Sequence, residues 1–139
     1  MLVKYGVYKD VDKSISISEI CDRAIMAMKS IQLNYEKNIA YYDDQLGQQH
    51  IREVMMENDF ENALRNEKFE VWFQPKYNVQ TEKIAGAEAL IRWRKQDGSM
   101  VSPGAFIPLF ERDGLITRLD GYVFKKVCQI QKERLTQGK

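Results

Sequence analysis

In the run FEVWFQPKYNVQTEKIAGAEALIRW, residues 69–93, Glu88, Leu90 and Arg92 recur at every second position. Side chains of an extended strand alternate between faces. A carboxylate, an apolar side chain and a guanidinium therefore point one way, while Ala87, Ala89, Ile91 and Trp93 point the other. The first face carries groups that can do chemistry; the second is suited to packing. Gln74 precedes Pro75 at the end of an earlier strand-like run, and a hairpin-like return through Asn78 to Glu82 would bring its amide beside the polar face. An acid that can hold a cation, an arginine for a phosphate oxygen and an amide for a base edge point to a nucleotide phosphate ester.

Residues 1–46 read as a separate strand, helix, strand unit. Lys4 to Tyr8 form the first strand and Asn38 to Tyr42 the second. Between them Ser16 and Glu19 make a capping box, with Ile15 and Ile20 at the positions of a hydrophobic staple. Ile20, Ala24, Ile25, Met28 and Ile31 continue an apolar face at helical spacing. Residues 47–58 read as a helical linker: Leu46, Ile51, Val54 and Met55 share a face, Gly47 is the weak point, and Asp59 can cap a short second helix through Leu64. His50 lies on this joint with no second histidine and no cysteine nearby, which predicts a surface or interdomain histidine.

Residues 59–139 hold the chemistry-bearing strands and, after them, two helices. Ser102 with Pro103 at the first helical position starts a helix that Gly114 ends. Thr117 with Asp120 resembles another capping box, opening a helix whose Leu119, Val123, Val127 and Ile130 form a core-type stripe. These elements predict an α+β chain of two short antiparallel strand pairs with four or five helices. Its apolar surfaces, including Phe69, Val71 and Phe73, would call for a second copy as cover, giving a homodimer.

A net charge of +1, with 29% charged and 44% hydrophobic residues, lacks both the basic excess of a nucleic-acid binder and the apolar run of a membrane segment. Cys21 and Cys128 each sit in a helical apolar pattern, which predicts buried, reduced thiols. No signal peptide opens the sequence. Cytoplasmic residence is the expectation, with membrane anchoring left to regions upstream.

The order FQP, then GAEALIRW, then SPGAFIPLFERDGLI resembles the opening of an EAL domain, the cyclic-di-GMP phosphodiesterase family, from about Asp59 to Gln131. The resemblance implies a modified (β/α)8 barrel. Such barrels take ~250 residues, so this chain would carry the first two strands and their helices and be an incomplete piece of a larger protein. The implied reaction is hydrolysis of one phosphodiester bond of cyclic-di-GMP to linear pGpG with two divalent cations, Mg²⁺ or Mn²⁺. By the same resemblance Glu88 is a metal ligand, Arg92 holds a phosphate oxygen, Gln74 contacts the nucleotide and Leu90 walls the pocket. Phe106, Ile107 and Pro108 match an element on the substrate side.

The family's other ligands, an asparagine, further acids and a catalytic lysine, lie on later strands, so the piece alone would be silent. The alternative is a degenerate EAL domain serving as a cyclic-di-GMP receptor or a protein-interaction module. The earlier order YGVY, CDRAIMAMKS, KNIAYYDDQL is similar to the C-terminal tail of a GGDEF domain, the diguanylate cyclase family. Asp22 and Lys29 match its helix, the lysine near the nucleotide phosphates. Met26 stands where tyrosine is usual and Tyr35 at a common glycine position. The GGDEF signature is absent, so no cyclase activity is implied.

Overall fold

The computed structural model describes residues 3–32 and 34–137, and the chain divides into two compact units, Met1–Met55 and Met56–Lys139. In the first unit β1 (Tyr5–Val7) and β2 (Ile39–Tyr41) pair in parallel and are joined by α1 (Ile17–Ser30). The expected antiparallel pair is thus corrected. A helix rather than a tight turn makes the connection, and such a crossover returns the chain in its original direction.

Ser16 caps α1, its Oγ accepting from the Glu19 N–H at 3.2 Å. The Glu19 carboxylate turns to Arg23, 2.9 Å away, instead of completing the box. The buried strip is narrower than the periodicity predicts: Ala27 and Ile31 are buried, whereas Ile25 is 45% exposed. Two three-residue strands cover only a thin strip of a helix. They cover it closely, because a Cβ on Gly6 would come within 1.8 Å of the Ala24 carbonyl oxygen. Arg23 also donates to Tyr8 Oη at 2.7 Å, with its guanidinium 5.1 Å from the Tyr8 ring centre and 5.2 Å from that of Tyr42.

The helix α2 runs unbroken over Asp44–Arg65. Asp43 stands before its first turn, Oδ1 accepting from the Leu46 N–H at 2.8 Å, so Asp59 is not a cap but an exposed mid-helix residue. Nothing between Glu57 and Phe60 is a strong breaker, and Asn and Asp in a helix interior cost only ~0.7 kcal/mol or less each. Gly47 is buried against Tyr42, where a Cβ would stand 2.3 Å from Tyr42 Oη. Leu46 is half-buried, while Ile51, Val54 and Met55 are exposed, as is His50.

The second unit is a three-stranded antiparallel sheet, order β3 (Phe69–Tyr77), β4 (Ile84–Arg94), β5 (Met100–Val101), with α3 (Pro103–Arg112) and α4 (Ile116–Thr136). The short β5 follows a turn at Asp97-Gly98, where Gly98 takes φ 85° and Lys95 N–H donates to Ser99 O at 2.8 Å. Pro103 begins α3 and Gly114, at φ 73°, follows its end. Thr117 is not a cap: α4 already starts at Ile116, with Leu115 before it.

An aromatic cluster fills the core. Phe69 has ring centres of Trp93 at 5.1 Å, Phe60 at 6.0 Å, Phe106 at 6.0 Å and Phe110 at 6.4 Å around it, and all five residues are at most 2% exposed. Tyr122 adds a hydrogen bond of 2.9 Å from its hydroxyl to the Phe69 carbonyl. Phe69 therefore does not lack cover, contrary to expectation; α2, α3 and α4 supply it. Leu119 is buried and the rest of the α4 stripe, Val123, Val127 and Ile130, half-buried. Ion pairs Arg118–Glu61, Lys126–Glu67 and Arg112–Glu57 flank this core.

Cys21 and Cys128 are free, as expected, but exposed. Cys128 is offset from the Leu119, Val123, Val127, Ile130 stripe by about half a helical turn, and Cys21 lies outside the thin strip of α1 that is covered. Because the Trp93 indole is almost fully enclosed, Trp93→Ala should destabilise the second unit by ~3–5 kcal/mol, read from urea unfolding. Gly6→Ala should unfold the first unit selectively, visible as lost amide dispersion for residues 5–41 with the aromatic cluster intact.

Candidate functional site

The β3–β4 ladder places the chemistry-bearing residues. Its register sets Phe69 opposite Trp93, Glu70 opposite Arg92, Trp72 opposite Leu90 and Gln74 opposite Glu88. Directly opposed residues of an antiparallel pair share a face, so Glu70, Trp72, Gln74, Lys76, Glu88, Leu90, Arg92 and Arg94 form one surface. Phe69, Val71, Ile91 and Trp93 lie on the other, toward the aromatic cluster. The return between the strands is an Asx turn, Asn78 Oδ1 accepting from the N–H groups of Gln80 at 2.9 Å and Thr81 at 3.0 Å. Asn78 N–H closes it onto Lys83 O at 2.8 Å.

Gln74, Glu88 and Leu90 are thus brought together, Gln74 and Glu88 exposed and Leu90 half-buried. Arg92 lies one same-face step beyond Leu90, half-buried, with its guanidinium 5.6 Å from the Trp72 ring centre and bonded to Ile91 O at 2.9 Å. Two neighbours were not anticipated. Lys76 Nζ stands 3.0 Å from Glu88 Oε2, and Trp72 is 50% exposed in the middle of the polar face. The alternation that singled out Glu88, Leu90 and Arg92, run along β3 as well, would have put Trp72 and Lys76 on the face of Gln74; the pairing of Lys76 with Glu88 needs the register too.

Glu70 is held from two sides: Arg94 Nε donates at 2.5 Å and Trp72 Nε1 at 2.9 Å. The Arg94 hydrogen bond first, and the Trp72 one second, hold the Glu70 carboxyl below the usual carboxylate range, and Glu70 in turn raises Arg94.

The donors here do not fit a pair of divalent cations. Among the described residues no group of three or more His, Cys, Asp or Glu could hold a metal ion. Glu88 has a lysine for a neighbour, and Glu70, the other carboxylate of the two strands, is engaged by Arg94 and Trp72. A cavity of about 290 Å³ lies at the opposite end of β4, lined by Asp59, Asn62, Lys68, Arg94, Lys95 and Asp97 among others, and none of Gln74, Glu88, Leu90 or Arg92 borders it. Asp22 and Lys29 are exposed on α1. No described helix is long and apolar enough to cross a membrane.

Residues 57–139, more than half of the chain, match the EAL domain family. The cyclic di-GMP phosphodiesterase NbdA of Pseudomonas aeruginosa is 29% identical over 93% of the chain, which spans 16% of that protein. The bifunctional diguanylate cyclase/cyclic di-GMP phosphodiesterase MucR of the same organism is 24% identical over 86% of the chain, or 18% of its own length. Among solved structures, the PaMucR phosphodiesterase in complex with c-di-GMP is 30% identical, with a TM-score of 0.55 over 60% of this chain and 34% of that one.

The Glu70 pair predicts an acid response. A carboxyl whose folded pKa is depressed contributes stability that is present above its unfolded value, ~4.3, and is lost as pH falls through the folded value. Between pH 6 and 2.5 the unfolding temperature of Glu70→Gln should therefore fall less than that of the parent chain. Equal slopes would mean that the pair contributes nothing to the acid limb.

Proposed function

The chain belongs to the EAL family, and from that membership we propose that it is part of a cyclic-di-GMP signalling protein and carries the nucleotide-contacting strand pair of a phosphodiesterase domain. The observation that carries the reading is the register of Gln74 against Glu88, with Leu90 and Arg92 following on the same face inside the family-matched segment. Arg92 would hold a phosphate oxygen by charge-assisted hydrogen bonds, the Gln74 amide would meet the nucleotide, and Leu90 would exclude water from that contact. In the same proposal Glu88 would be a ligand to Mg²⁺ or Mn²⁺ only alongside further oxygen donors and with Lys76 displaced from it. The whole reaction is hydrolysis of one phosphodiester bond to linear pGpG, and its other donors are not among these residues.

In the same reading β3 and β4 with α3 and α4 open a (β/α)8 barrel over residues 59–139, residues 47–58 are a linker, and residues 1–46 are the end of a GGDEF domain. The parallel β1–α1–β2 unit and the length of the match to a bifunctional cyclase/phosphodiesterase support the last assignment. Cytoplasmic residence is part of the same proposal. One observation favours a second role. With the Lys76 ammonium already against Glu88, the face as it stands suits binding without hydrolysis, as in a receptor or an interaction module.

Purified chain with Mg²⁺ or Mn²⁺ should turn over no cyclic-di-GMP when products are separated by chromatography, and robust hydrolysis would sink the reading. Binding should weaken about tenfold or more in Arg92→Ala, the scale of one charged hydrogen bond. In a longer protein that hydrolyses cyclic-di-GMP and carries these residues, Glu88→Ala should abolish turnover and leave folding intact.

The outer half of the hairpin also leaves Phe73, Tyr77, Val79 and Ile84 exposed. Burying a Val, Ile or Phe side chain contributes roughly 1.5–3 kcal/mol, so a second copy is the proposed cover. Light scattering at micromolar concentration should then report twice the 16.3 kDa chain mass, and a stable monomer would remove the dimer from the proposal.

A further inference from the structure

Trp72 does not behave as a packing residue. Its face of β3 is the polar one, it is 50% exposed, and its indole is engaged by a hydrogen bond. Nε1 donates to Glu70 Oε2 at 2.9 Å, and Glu70 is fixed in turn by two hydrogen bonds from Arg94, at 2.5 and 3.2 Å. Leu90 stands directly opposite on β4, and the Arg92 guanidinium lies 5.6 Å from the ring centre. A large π surface is therefore held in one orientation, in contact with water, between an arginine and an amide. The exposed Phe73 and Val79 have no such fixing hydrogen bond and read as uncovered apolar surface. Gln74 follows two residues on, ~7 Å along the strand.

We propose that Trp72 is the stacking surface for one purine base of the cyclic dinucleotide, with Arg92 on its phosphate. This rests on the functional reading above and adds to it, beside Gln74, a second residue that distinguishes a nucleotide from a bare phosphate. The chemistry is complementary on both counts. Aromatic rings accept any base face, and with the Arg92 guanidinium over one face of the ring the base would take the other, the cation strengthening the stack while answering the negative charge next to it. The Arg94–Glu70–Trp72 chain supplies the preorganisation, since a ring locked before binding loses little freedom on binding.

The chain has two tryptophans, and Trp93 is 2% exposed, so ligand-induced quenching of emission reports on Trp72. Titration of the full chain with cyclic-di-GMP should quench that emission. Calorimetry should show Trp72→Leu binding about 5- to 150-fold more weakly, the range that a lost base stack spans, with Trp72→Phe recovering much of the loss. Inorganic phosphate, used as the base-free probe, should bind Trp72→Leu as it binds the parent and should bind Arg92→Ala more weakly. Loss on Arg92→Ala with none on Trp72→Leu overturns the stacking and leaves the functional reading standing. A Trp72→Phe chain that folds but binds no better than Trp72→Leu also overturns it. No binding of cyclic-di-GMP by the parent chain, or no loss in either variant, overturns both.

Discussion

The cross-strand pair Phe69–Trp93 is the contact on which the second unit depends. The two residues oppose each other in the register and stack with ring centres 5.1 Å apart inside the aromatic cluster. A slip of one residue would turn every side chain of a strand to the wrong face, and here it would place Glu70 or Arg92 among the four remaining buried aromatic side chains. The desolvation cost of an unpaired charge is many times what any alternative register could return. Packing at one end of the hairpin therefore sets which way Gln74, Glu88, Leu90 and Arg92 face, although none of them is in the core.

The same dependence explains what was legible in the sequence. Facing needs only period-two alternation, so the separation of Glu88, Leu90 and Arg92 from Ile91 and Trp93 could be read directly, and local chemistry marked Ser16, Ser102-Pro103 and Gly114 as boundaries. Partners were harder. The Lys76–Glu88 pair requires the register, which is set by a turn of unpredictable length and by aromatic packing from three helices. The parallel pairing of β1 and β2 depends on how α1 crosses, and the continuity of α2 through Asp59 reflects an absence of breakers rather than a signal. Asp97-Gly98 did carry a turn signature, which would have revealed β5.

At two places glycine means the opposite of what propensity assigns to it. Gly47 weakens a helix by the usual measure, yet here the missing side chain is what admits Tyr42. Gly6 likewise lets a strand lie against the Ala24 carbonyl. Helix and strand propensities describe an isolated element. At close approaches, the space left by a missing Cβ decides instead.

Burial along the hairpin runs from Phe69 and Trp93, both 2% exposed, out to Ile84 at 64% and Val79 at 94%. Mechanically it is a cantilever, clamped at its root by the aromatic cluster and free at its Asx-turned tip. Opening free energies fall where apolar contacts thin out, so amide exchange should be slow around Val71 and Ile91 and quicken steadily toward Tyr77 and Ile84. Gln74 and Glu88 sit on the compliant outer span, and Arg92 close to the clamp. A ligand that bridged them would stiffen the beam along its length, and part of its binding free energy would go into that ordering.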